Sequence, residues 1–280
     1  MRLVRFGQPG AERPGVLVEA GAVRDLSAWV SDWTPDTVTV ETIARLRSVD
    51  LNGFPLVSKP DRLGPPLRRT GKFIAIGLNY RDHAVEANMP IPAEPIVFMK
   101  APSCLSGPYD PIQMPRGATK VDWEVELGVV IGSVLRYAPI ADAMAGIAGY
   151  TVVHDVSERA FQLERGGQWD KGKGCDSFGP IGPWLVTADE VPDPQSLQLW
   201  LDVNGARKQS GTTSLMIFPV VEIVSYVSHF MTLEPGDIIA TGTPPGVGMG
   251  FKPPQWLKPG DVVRLGITGL GEQQQIVLAP

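Results

Sequence analysis

Cysteine is scarce in this chain of 280 residues, which contains only Cys104 and Cys175. Two cysteines cannot build the disulfide framework of a small secreted domain, and a reducing cytosol is the simplest setting for them. Histidine is almost as scarce, with three copies. Because histidine is the side chain that titrates near neutral pH, His83 competes only with His154 and His229 for the role of a general base.

The sequence also lacks the features of membrane proteins and of nucleic-acid-binding proteins. No apolar run approaches the roughly 20 residues of a membrane span, and the first residues contain no apolar core typical of a signal peptide. The formal net charge is -5, which disfavours a nucleic-acid partner because such binding needs a basic surface. We expect a cytoplasmic protein. The negative net charge does not exclude a small anionic substrate, since that ligand needs only local positive charge.

Turn-forming residues, by contrast, are abundant, with 31 glycines and 27 prolines. This abundance predicts many short strands rather than a helical bundle. Residues 1–69 are predicted to form a small N-terminal α/β domain that ends in a proline-rich linker, and residues 70–280 a strand-rich domain. Predicted strands outnumber helices and do not alternate with them, so we expect an α+β, β-rich fold with a mixed, rolled sheet.

The predicted strands of the larger domain are short apolar runs bounded by turn residues. They cover 73–78, 96–100, 125–131, 150–154, 182–186, 197–203, 237–241, 261–267 and 274–278. One long helix is predicted over 220–231, with a single apolar stripe. The stripe consists of Val220, Ile223, Val224, Val227 and Phe230. Shorter helices are predicted over 82–88, 141–145 and 157–164.

Acidic residues alternate along the segment that leads into the predicted strand 125–131. Because side chains alternate faces in a strand, Asp122, Glu124 and Glu126 are expected to point the same way. Burying these carboxylates with the strand raises the free energy of the folded protein unless a positive charge neutralises them. A divalent cation that binds carboxylate oxygens would do so. Asp155, at the end of the apolar run 150–154, offers a further ligand. The alternative is an exposed strand face with solvated acids.

A second signal is the pair His83 and Glu86 in a short predicted helix. Three residues apart, the two side chains share a helix face, and a carboxylate beside an imidazole orients the ring and raises its basicity. The alternative is a surface helix with an incidental ion pair. His154 is expected to point away from the acidic face and to be structural, and His229 is expected at the surface.

Two glycine-containing segments complete the set of candidate sites. Lys173 lies between two glycines, which predict a mobile backbone and little steric cover. It could neutralise a substrate carboxylate or enolate, although a plain surface turn fits as well. Cys175 has no histidine neighbour in sequence and is expected to be buried and inert. The segment 241–248 ends a predicted strand in a glycine-rich turn whose backbone N–H groups could face an anion. It lacks the spacing of a phosphate-binding loop, and a tight strand-end turn is the alternative.

Taken together and in this order, the segments resemble the fumarylacetoacetate hydrolase family over about residues 70–270. The matching residues are Asn79, Tyr80, His83 and Glu86; Glu124, Glu126 and Asp155; Arg159 and Gln162; Gly172–Gly174; the run 213–218; and the run 241–248. The segment 246–258 further resembles the branch that acts on 2,4-dioxo-3-deoxy sugar acids from L-rhamnose or L-fucose breakdown.

The resemblance implies a mixed β-roll, a homodimer and a bound Mg²⁺ or Mn²⁺. Its implied metal ligands are Glu124, Glu126 and Asp155. Its implied catalytic residues are His83, Glu86 and Lys173. Its implied substrate-binding residues are Arg159, Gln162, Thr243 and Tyr80.

The activity that follows from the resemblance is metal-dependent hydrolysis of the C3–C4 bond of a 2,4-dioxo acid, which releases pyruvate and a carboxylic acid. Oxaloacetate decarboxylation and oxo-acid isomerisation or tautomerisation remain alternatives, because they use the same stabilised enolate. A protein that binds small oxo acids without turnover is a further alternative.

Overall fold

The computed structural model describes residues 1–86 and 89–280. Within them the chain forms eighteen strands and six α-helices. The strands are β1 (Arg2–Phe6), β2 (Arg13–Leu17), β3 (Val23–Asp25), β4 (Leu56–Val57), β5 (Phe73–Gly77), β6 (Ile96–Lys100), β7 (Leu105–Ser106), β8 (Ile112–Gln113), β9 (Val121–Asp122), β10 (Val125–Ile131), β11 (Ile147–His154), β12 (Ser157–Glu158), β13 (Gly179–Thr187), β14 (Gln198–Val203), β15 (Ala206–Thr212), β16 (Ile238–Ala240), β17 (Val262–Ile267) and β18 (Gly271–Leu278). The helices are α1 (Val40–Arg47), α2 (Arg81–Glu86), α3 (Ile140–Ala143), α4 (Arg159–Leu163), α5 (Asp170–Lys173) and α6 (Val220–Ser228).

The strands form one large sheet and two smaller ones. The large sheet has the order β4-β3-β2-β1-β13-β11-β10-β16-β5-β6, with β7 paired to β13. The second sheet has the order β15-β14-β17-β18-β8, and β9 pairs with β12. Strands β16 and β5 are parallel, whereas β10 and β11 are antiparallel. The predicted β-rich, mixed-sheet fold is therefore confirmed.

The N-terminal strands continue the large sheet rather than forming a separate one. Strand β1 pairs with β13 through Arg2 opposite Val186 and Leu3 opposite Leu185. The predicted linker also contacts β1, since Gly64 donates a backbone hydrogen bond to Arg5. The domain boundary after residue 69 stays a prediction.

The centre of the large sheet is buried on both faces. All seven residues of β10 and all eight of β11 are buried. Strands covered on both faces are expected to be continuously apolar, and the runs 127–131 and 147–153 follow this rule apart from Thr151. Glu126 breaks it, so its carboxylate needs a local explanation.

Several predicted boundaries differ from the structure for identifiable reasons. Helix α6 ends at Ser228, so Phe230 falls outside the apolar stripe and is 64% exposed. The helix predicted over 157–164 begins only at Arg159, because Ser157–Glu158 pairs as β12 with β9. Strand β15 was not predicted because its residues are mostly polar. The prediction of a helix over 82–88 holds to Glu86, and residues 87–88 lie outside the described residues.

No helix among the described residues combines the length and the apolarity that a membrane crossing requires.

Candidate active site

Three predicted metal ligands meet where β10 and β11 pair. Glu124 immediately precedes β10, Glu126 lies in it, and Asp155 immediately follows β11. The backbone N–H of Asp155 donates to the Glu124 carbonyl at 3.0 Å, so these two residues face each other across the ladder. Directly opposed residues put their side chains on one face. Each of the three offers one carboxylate oxygen, and these oxygens lie within 4.8 Å of one another in a buried position.

Asp122 does not join this cluster. It lies in β9, is fully buried, and accepts a hydrogen bond from Arg159 Nε at 2.8 Å. Its two oxygens also accept the backbone N–H groups of Gly248 at 2.6 Å and Met249 at 3.1 Å. Asp122 therefore anchors the arginine and the loop that follows β16.

Buried cations surround two of the three clustered acids. Lys173 Nζ lies 2.6 Å from Glu124 Oε2 and 2.7 Å from Asp155 Oδ2. Arg159 Nη2 donates to the other oxygen of Glu124 at 2.6 Å, and Lys100 Nζ donates to Asp155 Oδ1 at 2.6 Å. Lys173 is 2% exposed and lies in α5. The expectation that Lys173 has little steric cover is therefore wrong, because the side chain is packed against the acids.

Glu126, by contrast, forms no ion pair with any side chain of residues 1–86 and 89–280. It accepts the backbone N–H of Gly242 at 2.8 Å. Burial, followed by the charges of Asp155 and Glu124, raises the pKa of Glu126 well above its usual value. Burial also opposes ionisation of Glu124, but the charges of Lys173 and Arg159 outweigh it and lower the pKa of that carboxyl.

The donor set fits a hard divalent cation. Three carboxylates converge in a small buried space, and one of them lacks a compensating positive charge. Such cations prefer oxygen ligands, and Mg²⁺ and Mn²⁺ are the usual choices for carboxylate and water ligation. Glu124, Glu126 and Asp155 are the residues that would hold the ion.

The predicted dyad of His83 and Glu86 forms in α2. His83 Nδ1 lies 2.9 Å from Glu86 Oε2, and His83 is 8% exposed. The other oxygen of Glu86 accepts the backbone N–H of Gly246 at 2.9 Å. Both oxygens of the Glu86 carboxylate are thus held by hydrogen bonds. The other ring nitrogen of His83, Nε2, does not contact Glu86.

The glycine-rich turn after β16 uses its N–H groups for the protein's own carboxylates. Gly242 donates to Glu126, Gly246 to Glu86 and Gly248 to Asp122. The expectation that the N–H groups of this turn face anions is correct, but the anions are carboxylate side chains of the protein itself. Gly246 needs its φ of +101°, and a Cβ there would lie 2.0 Å from the Lys208 carbonyl. Only glycine therefore fits at this position.

A pocket of about 340 Å³ contains the acids, His83 and most of the predicted substrate-binding residues. Arg159, Gln162 and Thr243 line it. Gln162 Oε1 accepts from Arg159 Nη1 at 3.0 Å, and Thr243 Oγ1 donates to the Val125 carbonyl at 2.9 Å. A larger, open groove along α6 contains none of the clustered acids.

Tyr80 is placed differently from the other predicted binding residues. It is fully buried and does not line the pocket, and its hydroxyl has no hydrogen-bond partner among the described residues. Burial and the charge of Glu126 raise its pKa well above the usual value. The structure therefore places Tyr80 behind the site.

The two remaining histidines and Cys175 complete the comparison with the sequence predictions. His154 is fully buried, its Nδ1 lies 3.0 Å from Gln275 Oε1, and burial lowers its pKa to about 4. This environment matches the structural role expected for it, and His229 is exposed as expected. Cys175 is only half-buried, so the expectation that it is buried is wrong.

Sequence reasoning missed several residues that shape the site. Lys100 is one, although a lysine that ends the apolar run of β6 was a visible signal. The others are the apolar residues of the pocket wall, such as Phe98, Trp169 and Met249. They come from three distant segments, so no local pattern could have brought them together.

Comparison with known proteins settles the family. The model of the fumarylacetoacetate (FAA) hydrolase C-terminal domain matches residues 72–278. This chain belongs to the fumarylacetoacetate hydrolase family. A Burkholderia multivorans relative is 59% identical over 280 residues, which cover 100% of this chain and 99% of that protein. Its name contains the word hydrolase and gives no substrate.

Solved structures of the family cover the whole chain. A fumarylacetoacetate hydrolase from Exiguobacterium antarcticum is 40% identical, with a TM-score of 0.88 and coverage of 100% of both chains. A 2-hydroxyhepta-2,4-diene-1,7-dioate isomerase from Mycobacterium marinum is 34% identical, with a TM-score of 0.79 and coverage of 100% of this chain and 98% of that chain. A maleylpyruvate hydrolase from Sphingobium sp. SYK-6, in complex with manganese(II) and pyruvate, is 30% identical, with a TM-score of 0.83 and coverage of 100% and 99%. Family members thus include hydrolases and an isomerase.

The buried ion pair between Lys100 and Asp155 predicts a stability effect. Replacing Lys100 with Met leaves a buried carboxylate short of one cation, which costs on the order of 3 kcal/mol of unfolding free energy. The matched control is Lys120→Met, because Lys120 pairs with Glu164 at the surface, and such pairs contribute less than about 1 kcal/mol. Urea denaturation in EDTA measures both variants, and equal losses would contradict the role assigned to Lys100.

Proposed function

We propose that this chain is a divalent-metal-dependent hydrolase that cleaves the C3–C4 bond of a 2,4-dioxo acid. The products are pyruvate and a carboxylic acid. The observation that carries the proposal is the presence, in one pocket, of three converging carboxylates and a histidine–glutamate dyad. The first can hold a cation that polarises a dioxo acid, and the second can activate water.

The carboxylates of Glu124, Glu126 and Asp155 would hold one Mg²⁺ or Mn²⁺ per subunit. When bound, the ion supplies Lewis-acid polarisation of substrate oxygens, which favours negative charge on the departing three-carbon fragment. The maleylpyruvate hydrolase relative with manganese(II) supports this assignment. We place the protein in the cytoplasm as a homodimer, and both placements are part of the proposal.

His83 is the proposed general base. Because Nδ1 faces Glu86, Nε2 is the atom that takes a proton from the attacking water. The water oxygen bonds to C4, the C3–C4 bond breaks, and its electron pair stays on C3. The proton held by His83 then returns to C3. One water is consumed, and the two products together contain all its atoms.

The charged and hydroxyl groups beside the acids hold the substrate and the developing oxyanion. Lys173 has three N–H donors, and two of them bind Glu124 and Asp155. The third is available to a substrate oxygen, where an ammonium in a buried site is strongly stabilising. Arg159 and Gln162 position the substrate from α4, and Thr243 does so from the turn after β16.

The finer assignment is to 2,4-dioxo-3-deoxy sugar acids related to L-rhamnose or L-fucose. It rests on the sequence of segment 246–258. For a six-carbon 3,6-dideoxy acid of this kind, the second product is lactate.

An isomerase, tautomerase or oxaloacetate decarboxylase is the second candidate. The isomerase from Mycobacterium marinum is one relative that favours it. These reactions also proceed through an enolate but require no activated water, so the dyad would be less important for them.

Removing one metal ligand tests the cation site. Glu126→Gln keeps the shape of the side chain but loses its charge, so Mn²⁺ affinity and pyruvate release should each fall by on the order of 100-fold. The control is Asp142→Asn, because Asp142 is an exposed acid in α3. Calorimetry with Mn²⁺ and a pyruvate assay provide the readouts. Near-native values for Glu126→Gln would refute its role as a ligand.

Removing the base separates hydrolysis from the alternatives. His83→Ala should bind Mn²⁺ as the native protein does but lose about 100- to 10,000-fold in pyruvate release from acetopyruvate, because the water is no longer activated. His229→Ala, at the exposed end of α6, is the matched control. If His83→Ala keeps its turnover, or if oxaloacetate is the only substrate, the hydrolase proposal is wrong.

A further inference from the structure

The pocket is lined by charged side chains at its floor and by apolar side chains at its rim. At the floor lie the acids together with Lys173 and Arg159, each at most 5% exposed. At the rim lie Met89, Leu163 and Met249, which are 47%, 45% and 37% exposed. All of these residues line the same cavity. A ligand that enters with its charged end at the floor therefore places its other end among apolar side chains.

Phe98 and Trp169 form the wall between floor and rim. Their ring centroids are 5.3 Å apart in an edge-on arrangement, and both residues are half-buried. Lys173 Nζ lies 5.2 Å from the Phe98 ring centre, so the wall begins next to the ammonium group. Gly77 makes room for the indole, since a Cβ there would lie 2.6 Å from the Trp169 ring. The wall is thus fixed by packing on two sides.

Each basic group in the pocket contacts at least one protein carboxylate, and the remaining donor of Lys173 lies at the acidic floor rather than at the rim. Among the described residues that line the pocket, the basic groups are His83, Arg159 and Lys173. His83 contacts Glu86; Arg159 contacts Asp122 and Glu124; and Lys173 contacts Glu124 and Asp155. None of the three belongs to the exposed rim. A second carboxylate on the substrate would therefore lose part of its hydration against apolar side chains without gaining a compensating cation, which is unfavourable.

We infer that the substituent on C4 of the substrate is uncharged and largely apolar, and that Leu163 and Met249 select for it. This inference rests on the proposed function, because it places the carboxylate and 2-oxo end of a dioxo acid at the acidic floor. It excludes dioxo dicarboxylates as preferred substrates. It is compatible with short alkyl chains and with the hydroxyethyl group of a deoxy sugar acid.

Leu163 and Met249 are held in place by the site itself. Leu163 is the last residue of α4 and directly follows Gln162, whose amide oxygen binds Arg159. The backbone N–H of Met249 donates to Asp122, which also binds Arg159. The backbone at both apolar residues is therefore tied to the residues that orient the arginine.

A matched pair of substrates tests the inference. The first is 2,4-dioxoheptanoate, whose acyl chain ends in a methyl group, and the second is 2,4-dioxoheptanedioate, which has the same length and ends in a carboxylate. With Mn²⁺ present, kcat/KM for the monocarboxylate should be at least about 10-fold higher, since an unpaired charge is costly in such a wall. An equal or higher value for the dicarboxylate would overturn the inference.

A charge introduced at the rim should reverse this preference. Leu163→Lys supplies the missing cation and should raise kcat/KM for the dicarboxylate relative to the monocarboxylate by about 10-fold or more. Leu163→Gln is the matched control, because it is polar but uncharged and should shift the ratio much less. Equal shifts in the two variants would show that charge is not what selects the substrate, which contradicts the inference.

Calorimetry separates failure of this inference from failure of the proposed function. Both ligands are titrated into His83→Ala with Mn²⁺, where cleavage is suppressed, and the monocarboxylate should bind at least about 10-fold more tightly. If the native protein cleaves neither compound but this order of affinity holds, the hydrolase proposal fails and the selectivity stands. If the dicarboxylate binds as tightly or more tightly, the selectivity is wrong whatever the turnover.

Discussion

The structure depends on one electrostatic constraint, which is the confinement of three carboxylates within a buried part of the sheet. The pairing of β10 with β11 forces Glu124 and Asp155 to face each other, and strand alternation adds Glu126 to the same face. Buried charges of one sign are costly unless they are paired, bound to a metal or neutralised by protonation. Lys100, Lys173 and Arg159 compensate two of the acids. Glu126 has no such compensation among the described residues, and the proposed cation site rests on this uncompensated carboxylate.

The turn after β16 connects this cluster with the proposed base. Three of its glycine N–H groups bind Glu126, Glu86 and Asp122, which belong to separate segments. Backbone donors are fixed in direction, so they orient a carboxylate without the freedom of a second side chain. Through these bonds the face with the three carboxylates, the His83 dyad and the arginine on α4 share one rigid support. Such preorganisation is what charge stabilisation in a reaction requires.

The sequence was most informative for site residues that lie two or three positions apart in one strand or helix. The spacing of Glu124 and Glu126 and the spacing of His83 and Glu86 predict shared faces from strand and helix geometry alone, and both pairs lie together in the structure. Local reasoning failed where distant segments meet. It expected Lys173 to be uncovered, and it missed Lys100; the family resemblance, in turn, placed Tyr80 among the binding residues, whereas the structure buries it behind the pocket. Burial and long-range ion pairs decide these positions, and neither is visible in a window of neighbouring residues.

The most direct test is the anomalous difference map of a crystal grown with Mn²⁺. The account predicts one manganese peak per subunit, about 2.2 Å from an oxygen of each of Glu124, Glu126 and Asp155. A peak bound elsewhere, or the absence of any peak between three ordered carboxylates at saturating Mn²⁺, would contradict the central claim.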